Sequence, residues 1–405
     1  MLQADQDNPD ALHYLGVMRH QQGRPLLALE LVCRAIEIRP DYVDALNNLG
    51  NIYQHLGSPA QAARAYEAAL ELRPDHPQAL RNRSAALRKV ERFEELAEAC
   101  RRAIEREPAN VHNYYRLAAV YKETDRFEDA IRTLQSALAL RPQAEGFRRL
   151  GQIFYWLRRI DEAAANYEAW LRAEPGHPFA RHMLAACTAK DVPARAHDAF
   201  VTEVFDGLAG SFDEVLERME YRAPALLGQA VQRAVGAPRG DLDIVDAGCG
   251  TGLLAQPLRP YARRLVGVDL SSKMLEKAAG RALYDELIAA ELASHLESSP
   301  QTFDLVASSD TLNYFGDLRA VLAAARASLR SGGRLFFTLE HAVNEDEAPS
   351  GYRLHPAGRY MHTQEYVRRT LAQTGFEAIG IEKDFLRREG DAYVAGLVVA
   401  ARRNP

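Results

Sequence analysis

Prolines fall at Pro40, Pro74, Pro108, Pro142 and Pro175, at spacings of 34, 34, 34 and 33 residues. A fixed period of this length commits a chain to stacked, similar units, because one such unit cannot bury its own apolar face. The same small and large residues recur between the prolines. Leu12, Leu15 and Gly16 precede Ala28, Ala35 and Pro40; Leu46, Leu49, Gly50 and Tyr53 precede Ala62, Tyr66, Ala69 and Pro74. Tyr114, Leu117, Ala118 and Tyr121 precede Ala130, Ala137 and Pro142, and Phe147, Leu150, Gly151 and Phe154 precede Ala163, Tyr167 and Pro175. The third unit, Pro77 to Asn110, departs most, with Arg83-Ser84 where Leu-Gly stands elsewhere.

This pattern resembles the tetratricopeptide repeat, a helix–turn–helix unit of 34 residues. The resemblance implies an all-α solenoid of five units over residues 1–190, closed by a capping helix near Phe179 to Lys190, with Met1 to Asn8 as the tail of an earlier unit. Small residues sit where paired helices cross most closely, and large ones fill the groove. Such arrays have a concave face lined by the first helix of each unit; His13, Asn47, Asn48, Asn51, Arg81, Asn113, Arg116 and Arg148 are its candidates here. Side-chain amides such as Asn47, Asn48 and Asn51 suit an extended peptide backbone, though a solvated helix face reads equally well. The expected partner is a protein or peptide, and a homodimer is among the assemblies such an array allows.

The second half turns on Asp243-Ile-Val-Asp-Ala-Gly-Cys-Gly-Thr-Gly252, followed by Leu265-Val-Gly-Val-Asp-Leu270. Each segment begins as the apolar run of a buried parallel strand. Glycines at 248, 250 and 252 permit a sharp turn and close approach to a ligand. Asp269, at the end of the second strand, is placed to accept from ribose hydroxyls. The spacing differs from the G-x-G-x-x-G of dinucleotide sites and lacks a P-loop lysine. The D-x-G-x-G-x-G pattern resembles motif I of class I S-adenosylmethionine (SAM) methyltransferases. That resemblance makes SAM the cofactor and S-adenosylhomocysteine the product. It implies that Asp246, Gly248, Gly250 and Gly252 wrap the methionine part. Asp269 then holds the ribose, Leu270 and Met274 lie against adenine, and Glu291 with Leu292 meets the adenine amino group. Ser308, Asn313 and Tyr314, at and after the fourth strand, come near the transferred methyl group.

The rest of the chain supports an α/β Rossmann-like domain over 237–405 with a mixed seven-stranded sheet. Strands are expected near 287–289, 303–307 and 334–339, then an antiparallel pair at 376–383 and 393–402. Between them lie helices at 318–329 and 365–374. Residues 191–236 read as a helical linker and lid. It carries an aromatic–acid pair twice, Phe205-Asp206 and Phe212-Asp213. Phe205 and Phe212 are candidates to face a sulfonium, since aromatic faces favour cations, or to anchor a core. The polar stretch 344–360 is long enough to be functional and contributes Arg353, Arg359 and Tyr360 as substrate candidates. The arginines suit a carboxylate acceptor. If the acceptor needs a base, His341 and His362 are the candidates, because histidine titrates near neutrality.

Composition narrows the classes. The net charge of −5 and the absence of a basic block argue against nucleic acid. No apolar run approaches a membrane span, and the N-terminus has no secretory pattern. Cys33, Cys100, Cys187 and Cys249 form no C-x-x-C pair, as in a cytoplasmic protein with reduced thiols. No histidine or carboxylate cluster at ligand spacing suggests a metal. The Asn-Pro-Pro-Tyr-like motif of enzymes that methylate base or glutamine amino groups is absent. Three readings follow: a methyltransferase acting on a protein or peptide recruited by the repeats; one acting on a small or carrier-bound carboxylate or hydroxyl, with the repeats for assembly; and a non-catalytic SAM-binding scaffold.

Overall fold

A computed structural model describes residues 8–390 and 392–404, so the expectation for Met1 to Asp7 lies outside the described residues. The chain forms two compact units that divide between Arg158 and Arg159.

The first unit is all helix: α1 (Pro9–Gln21), α2 (Pro25–Ile38), α3 (Val43–His55), α4 (Pro59–Leu72), α5 (Pro77–Arg106), α6 (Val111–Glu123), α7 (Phe127–Leu140) and α8 (Ala144–Trp156). Asn8 caps α1, its side chain accepting from the amides of Asp10 and Ala11. The small residues are where the repeat needs them. A Cβ on Gly16 would lie 2.6 Å from the Val32 side chain, and one on Gly50 would lie 2.4 Å from the Tyr66 ring. The degenerate third unit is not a helix–turn–helix. It is one continuous 30-residue helix, α5. Elsewhere the turn between paired helices uses a left-handed residue: Gly23, Gly57, Asp125 or Arg158. The corresponding Glu91 stays helical, and exposed Ser84 replaces the glycine that admits a partner helix. Without that close crossing, nothing favours folding the helix back on itself.

In the second unit, α9 (Ile160–Ala173) and α10 (Pro178–Thr188) come first. Sequence periodicity groups them with the repeats, yet they pack within the α/β unit. Trp170 is fully buried with its ring centroid 5.5 Å from that of Phe179. His182 Nε2 donates to the Gly358 carbonyl at 2.8 Å, and its ring lies 4.0 Å from Phe200. Three helices follow, α11 (Asp198–Leu208), α12 (Phe212–Arg218) and α13 (Ala223–Val235), with Pro224 in the first turn of the last.

The sheet then begins: β1 (Leu242–Ala247), α14 (Ala255–Leu258), β2 (Ala262–Asp269), α15 (Ser272–Gly280), β3 (Glu286–Ala289), α16 (Leu292–Glu297), β4 (Phe303–Ser308), α17 (Arg319–Ser328) and β5 (Leu329–His341). It continues through β6 (Tyr352–Leu354), β7 (Tyr360–His362), α18 (Gln364–Gln373), β8 (Phe376–Glu389) and β9 (Ala392–Arg403). The order β3-β2-β1-β4-β5 is parallel, and β9 adds antiparallel to β5 with β8 outside it. These are the seven expected strands. Two more, β6 and β7, form a short hairpin beside the end of β5, within and just past the stretch 344–360 read as loop. Alternation fills both faces. Val245, Val306 and Phe337 pack on the α16–α17–α18 side. Ile244, Leu305 and Phe336 pack on the α13–α14 side. No helix among the described residues is long and apolar enough to cross a membrane.

Candidate functional site

The parallel strands end together, and the loops after them surround a cavity of about 230 Å³. This is where ligands sit in open α/β sheets, outside the carboxyl ends of the strands. β1 runs into the glycine loop, where Gly248, Gly250 and Gly252 all have left-handed φ values, +77°, +53° and +86°. A Cβ at Gly248 would strike the Thr311 side chain at 2.2 Å, whereas one at Gly250 would meet only open space and the edge of Phe212. Asp269 closes β2. Its carboxylate accepts from the Gly250 amide at 2.9 Å and the Ser271 amide at 2.8 Å. Burial pushes its pKa up, and these backbone donors oppose the rise. Asp246 is wholly buried, and burial raises it to about 7 against a hydrogen bond from Tyr284. Its Oδ2 accepts from the Tyr284 hydroxyl at 2.6 Å; Oδ1 has no partner among the described residues.

Helices α11 and α12 cover the opening, and both aromatic–acid pairs divide their labour. Phe205 and Phe212 line the cavity, edge to face at 5.9 Å, and Phe205 meets Tyr314 at 5.5 Å. The acids turn the other way. Asp206 accepts from the Ser271 hydroxyl at 2.5 Å. Asp213 accepts from the Thr251 hydroxyl at 2.6 Å and pairs with Arg281. Each pair thus gives one wall to the cavity and one tie, to the glycine loop at Thr251 or to the loop after β2 at Ser271.

The far end is ionic. Buried Glu340 pairs with Arg359 at 2.5 Å and with Arg387. Arg387 also bonds Asp310 at 2.8 Å and Glu389 at 2.9 Å, and Arg359 reaches Glu389 at 2.5 Å. Burial alone would raise Glu340, but the two guanidinium groups hold it down at about 2. Asp310 goes the other way: burial raises it against Arg387. Above it, the Tyr221 hydroxyl shares a 2.9 Å hydrogen bond with Ser309.

Most expected site residues meet here. Asp246, Gly248, Gly250, Asp269, Leu270, Glu291, Leu292, Phe205, Phe212, Asn313, Tyr314 and Arg359 line the cavity. Glu291 also caps α16, accepting from the Ser294 amide at 2.8 Å. Others lie off it. Gly252 leaves room for the Tyr284 ring, Met274 is core, and Ser308 ties β4 to β1 through the Ala247 carbonyl at 2.7 Å. Tyr360 is buried and donates to the Pro193 carbonyl at 2.6 Å, while Arg353 pairs with Glu347. Neither histidine lines the cavity. His341 and His362 face each other in the β5–β7 register. His362 is fully buried, with Nε2 against the Gly316 carbonyl at 3.0 Å, and burial drives its pKa down to about 4. Arg359 also departs from the carboxylate clamp, since Glu340 and Glu389 already engage it.

Sequence reading missed Tyr284, Asp310, Glu340, Arg387 and Glu389 as site residues. Asp310 had a signal, an acid just past a strand end. Arg387 had none, since it follows the expected strand end at 383 in a mostly charged run, Glu382 to Glu389. On the first unit, Asn47 is buried, its Oδ1 without a partner among the described residues, and Asn48 and Asn51 are occupied by neighbouring side chains. Asn48 bonds His13 at 2.8 Å, Asn51 donates to Asn48 at 3.2 Å, and Asn51 accepts from Tyr66 and Asn82. No group of three or more His, Cys, Asp or Glu among the described residues is arranged to hold a metal.

A methyltransferase-domain family model matches residues 245–337, and tetratricopeptide-repeat models match 43–76 and 87–153. The chain is similar to a malonyl-[acyl-carrier protein] O-methyltransferase of Hamiltonella defensa, 36% identical over 24% of this chain and 36% of that one. It is also similar to the human methyltransferase-like protein 27, 38% identical over 25% of this chain and 42% of that one. The match thus spans less than half of either relative. Among solved structures it is similar to a SAM-dependent methyltransferase of Mesorhizobium loti, with 24% identity, a TM-score of 0.35, and coverage of 44% of this chain and 98% of that one. Tetratricopeptide repeats generally mediate protein–protein contacts, and in this chain they precede a methyltransferase domain.

Proposed function

We propose that the second unit binds SAM and transfers its methyl group to a protein or peptide recruited by the repeats. The observation that carries the cofactor is the convergence on one cavity of a left-handed glycine loop, the bare Oδ1 of Asp246 and Asp269 at the end of β2. The residues fit the molecule. Asp269 would hold the ribose hydroxyls, Asp246 the ammonium, and open space at Gly250 admits close approach. SAM supplies an activated methyl carbon, so the chain need only align the acceptor and keep water out. Phe205, Phe212 and Tyr314 do the latter. In this reading residues 1–190 recruit, 191–236 close the site and 237–405 carry the chemistry.

A second reading is favoured by the relatives. One of them is named for a carrier-bound acid, and on that model the acceptor here is a small or carrier-bound group. The two readings separate by incubating the full-length protein with methyl-labelled SAM and either a peptide array or a panel of free and carrier-bound acids. Recruitment predicts labelled peptide, lost in an Arg81→Glu/Arg116→Glu variant that still binds SAM. Label on an acid, unchanged by that variant, sinks the recruitment reading.

A further inference from the structure

We propose that Tyr284 is a positioning residue for Asp246. Its hydroxyl occupies one carboxylate oxygen and leaves the other, which has no partner among the described residues, to receive the ligand's ammonium. This rests on the SAM reading and adds to it a residue outside the glycine motif. Tyr284 stands in the connection between α15 and β3, and its hydroxyl lies 2.6 Å from Asp246 Oδ2. Two glycines make room for the ring. A Cβ on Gly252 would come within 2.9 Å of Cε2, and one on Gly267 within 2.9 Å of Cε1. Gly267 lies inside β2 without a left-handed φ, so its lack of a side chain serves the close approach of this ring and of Leu287, whose Cδ2 would lie 2.7 Å from the same Cβ.

The neighbours of Asp246 leave one role open. Asp269, Cys249, Tyr221 and Tyr284 face it, and Arg281 acts on Tyr284. These neighbours of the carboxylate are acids or neutral hydroxyl and thiol groups. A buried carboxylate oxygen without a donor is costly, so a cation from the ligand is the complementary partner. A hydroxyl that donates to the carboxylate favours its ionised form. Tyr284 thus keeps Asp246 able to bind that cation near neutral pH, where burial alone would protonate it.

The test is calorimetric titration of SAM into full-length wild type, Tyr284→Phe and Asp246→Asn from pH 6 to 9. Wild-type affinity should fall on the acid side as Asp246 takes a proton. In Tyr284→Phe that limb should move up by about one pH unit, making binding about tenfold weaker at pH 6.5 and equal to wild type on the alkaline side. The ligand's own amine titrates alike in both proteins. Asp246→Asn should bind weakly and lack the acid limb. A Tyr284→Phe curve parallel to wild type, or superimposed on it, overturns the inference. If wild type binds no SAM, the SAM reading fails instead. The positioning role is then read without ligand, by following the Asp246 carboxyl carbon by NMR through the same pH range; equal midpoints in wild type and Tyr284→Phe overturn it.

Discussion

At one end of the cavity, Asp246, Gly248, Gly250 and Asp269 come from two neighbouring strand ends; at the other, Asp310, Arg359, Arg387 and Glu389, joined through Glu340, come from segments spread over 80 residues. The first end leaves Asp246 Oδ1 buried without a partner among the described residues, and space at Gly250. The second satisfies its charges internally, with the Arg359 and Arg387 guanidinium groups paired to the Asp310, Glu340 and Glu389 carboxylates. An open end awaits a ligand, whereas a closed ionic network holds a shape. Damage to the two ends should therefore read out differently, one as affinity and the other as stability.

The largest effect is expected at the ionic end. Arg387→Met leaves buried Glu340 with Arg359 as its remaining partner, and breaking a buried network costs about 3–5 kcal/mol. Urea unfolding measures it, and SAM affinity should stay within about threefold for a stably folded variant. Acid sensitivity should move as well. Because the folded pKa of Glu340 is depressed from 4.5 to about 2, its stabilisation is full above 4.5 and drains as pH falls toward 2. Arg387→Met should therefore unfold at higher pH than wild type. Equal unfolding curves would mean that the network does not hold this end together.

His362→Asn should cost about 1–3 kcal/mol through the lost bond to Gly316 and leave SAM affinity unchanged. The wild-type histidine, depressed from 6.5 to about 4, contributes stability above 6.5 that fades as pH falls toward 4. A variant of full stability with an altered pH–rate profile would return His362 to a catalytic role. The smallest effect belongs to α12. Asp213 and Arg281 are partly exposed, so Asp213→Asn should weaken SAM by less than about 1 kcal/mol, seen as a few-fold faster release in stopped flow. A tenfold or larger effect would make the tie part of the binding site itself.

The contrast also explains what could be read in advance. Local pattern revealed Asp246 to Gly252, Asp269 and the repeats, because each is a contiguous motif or a fixed period. Pattern also flagged the third repeat as degenerate, but its continuous helix depends on two absences acting together: no glycine at the crossing and no left-handed residue at Glu91. The ionic end was largely illegible, since no sequence spacing joins Asp310 to Arg387. β8 runs to Glu389, well past its expected end at 383, and that extension delivers Arg387 and Glu389 to the site. Tyr284 was hidden for the same reason. The room it needs is made by glycines at 252 and 267, and only the fold shows that both face one ring.

The central claim is that the open end holds SAM, and calorimetric titration of SAM into wild type and Asp269→Ala tests it most directly. Binding of order −7 to −8 kcal/mol, in the micromolar range, is expected for wild type and should be weakened at least tenfold by the substitution. Absence of binding to wild type, or equal affinity in both proteins, would contradict it.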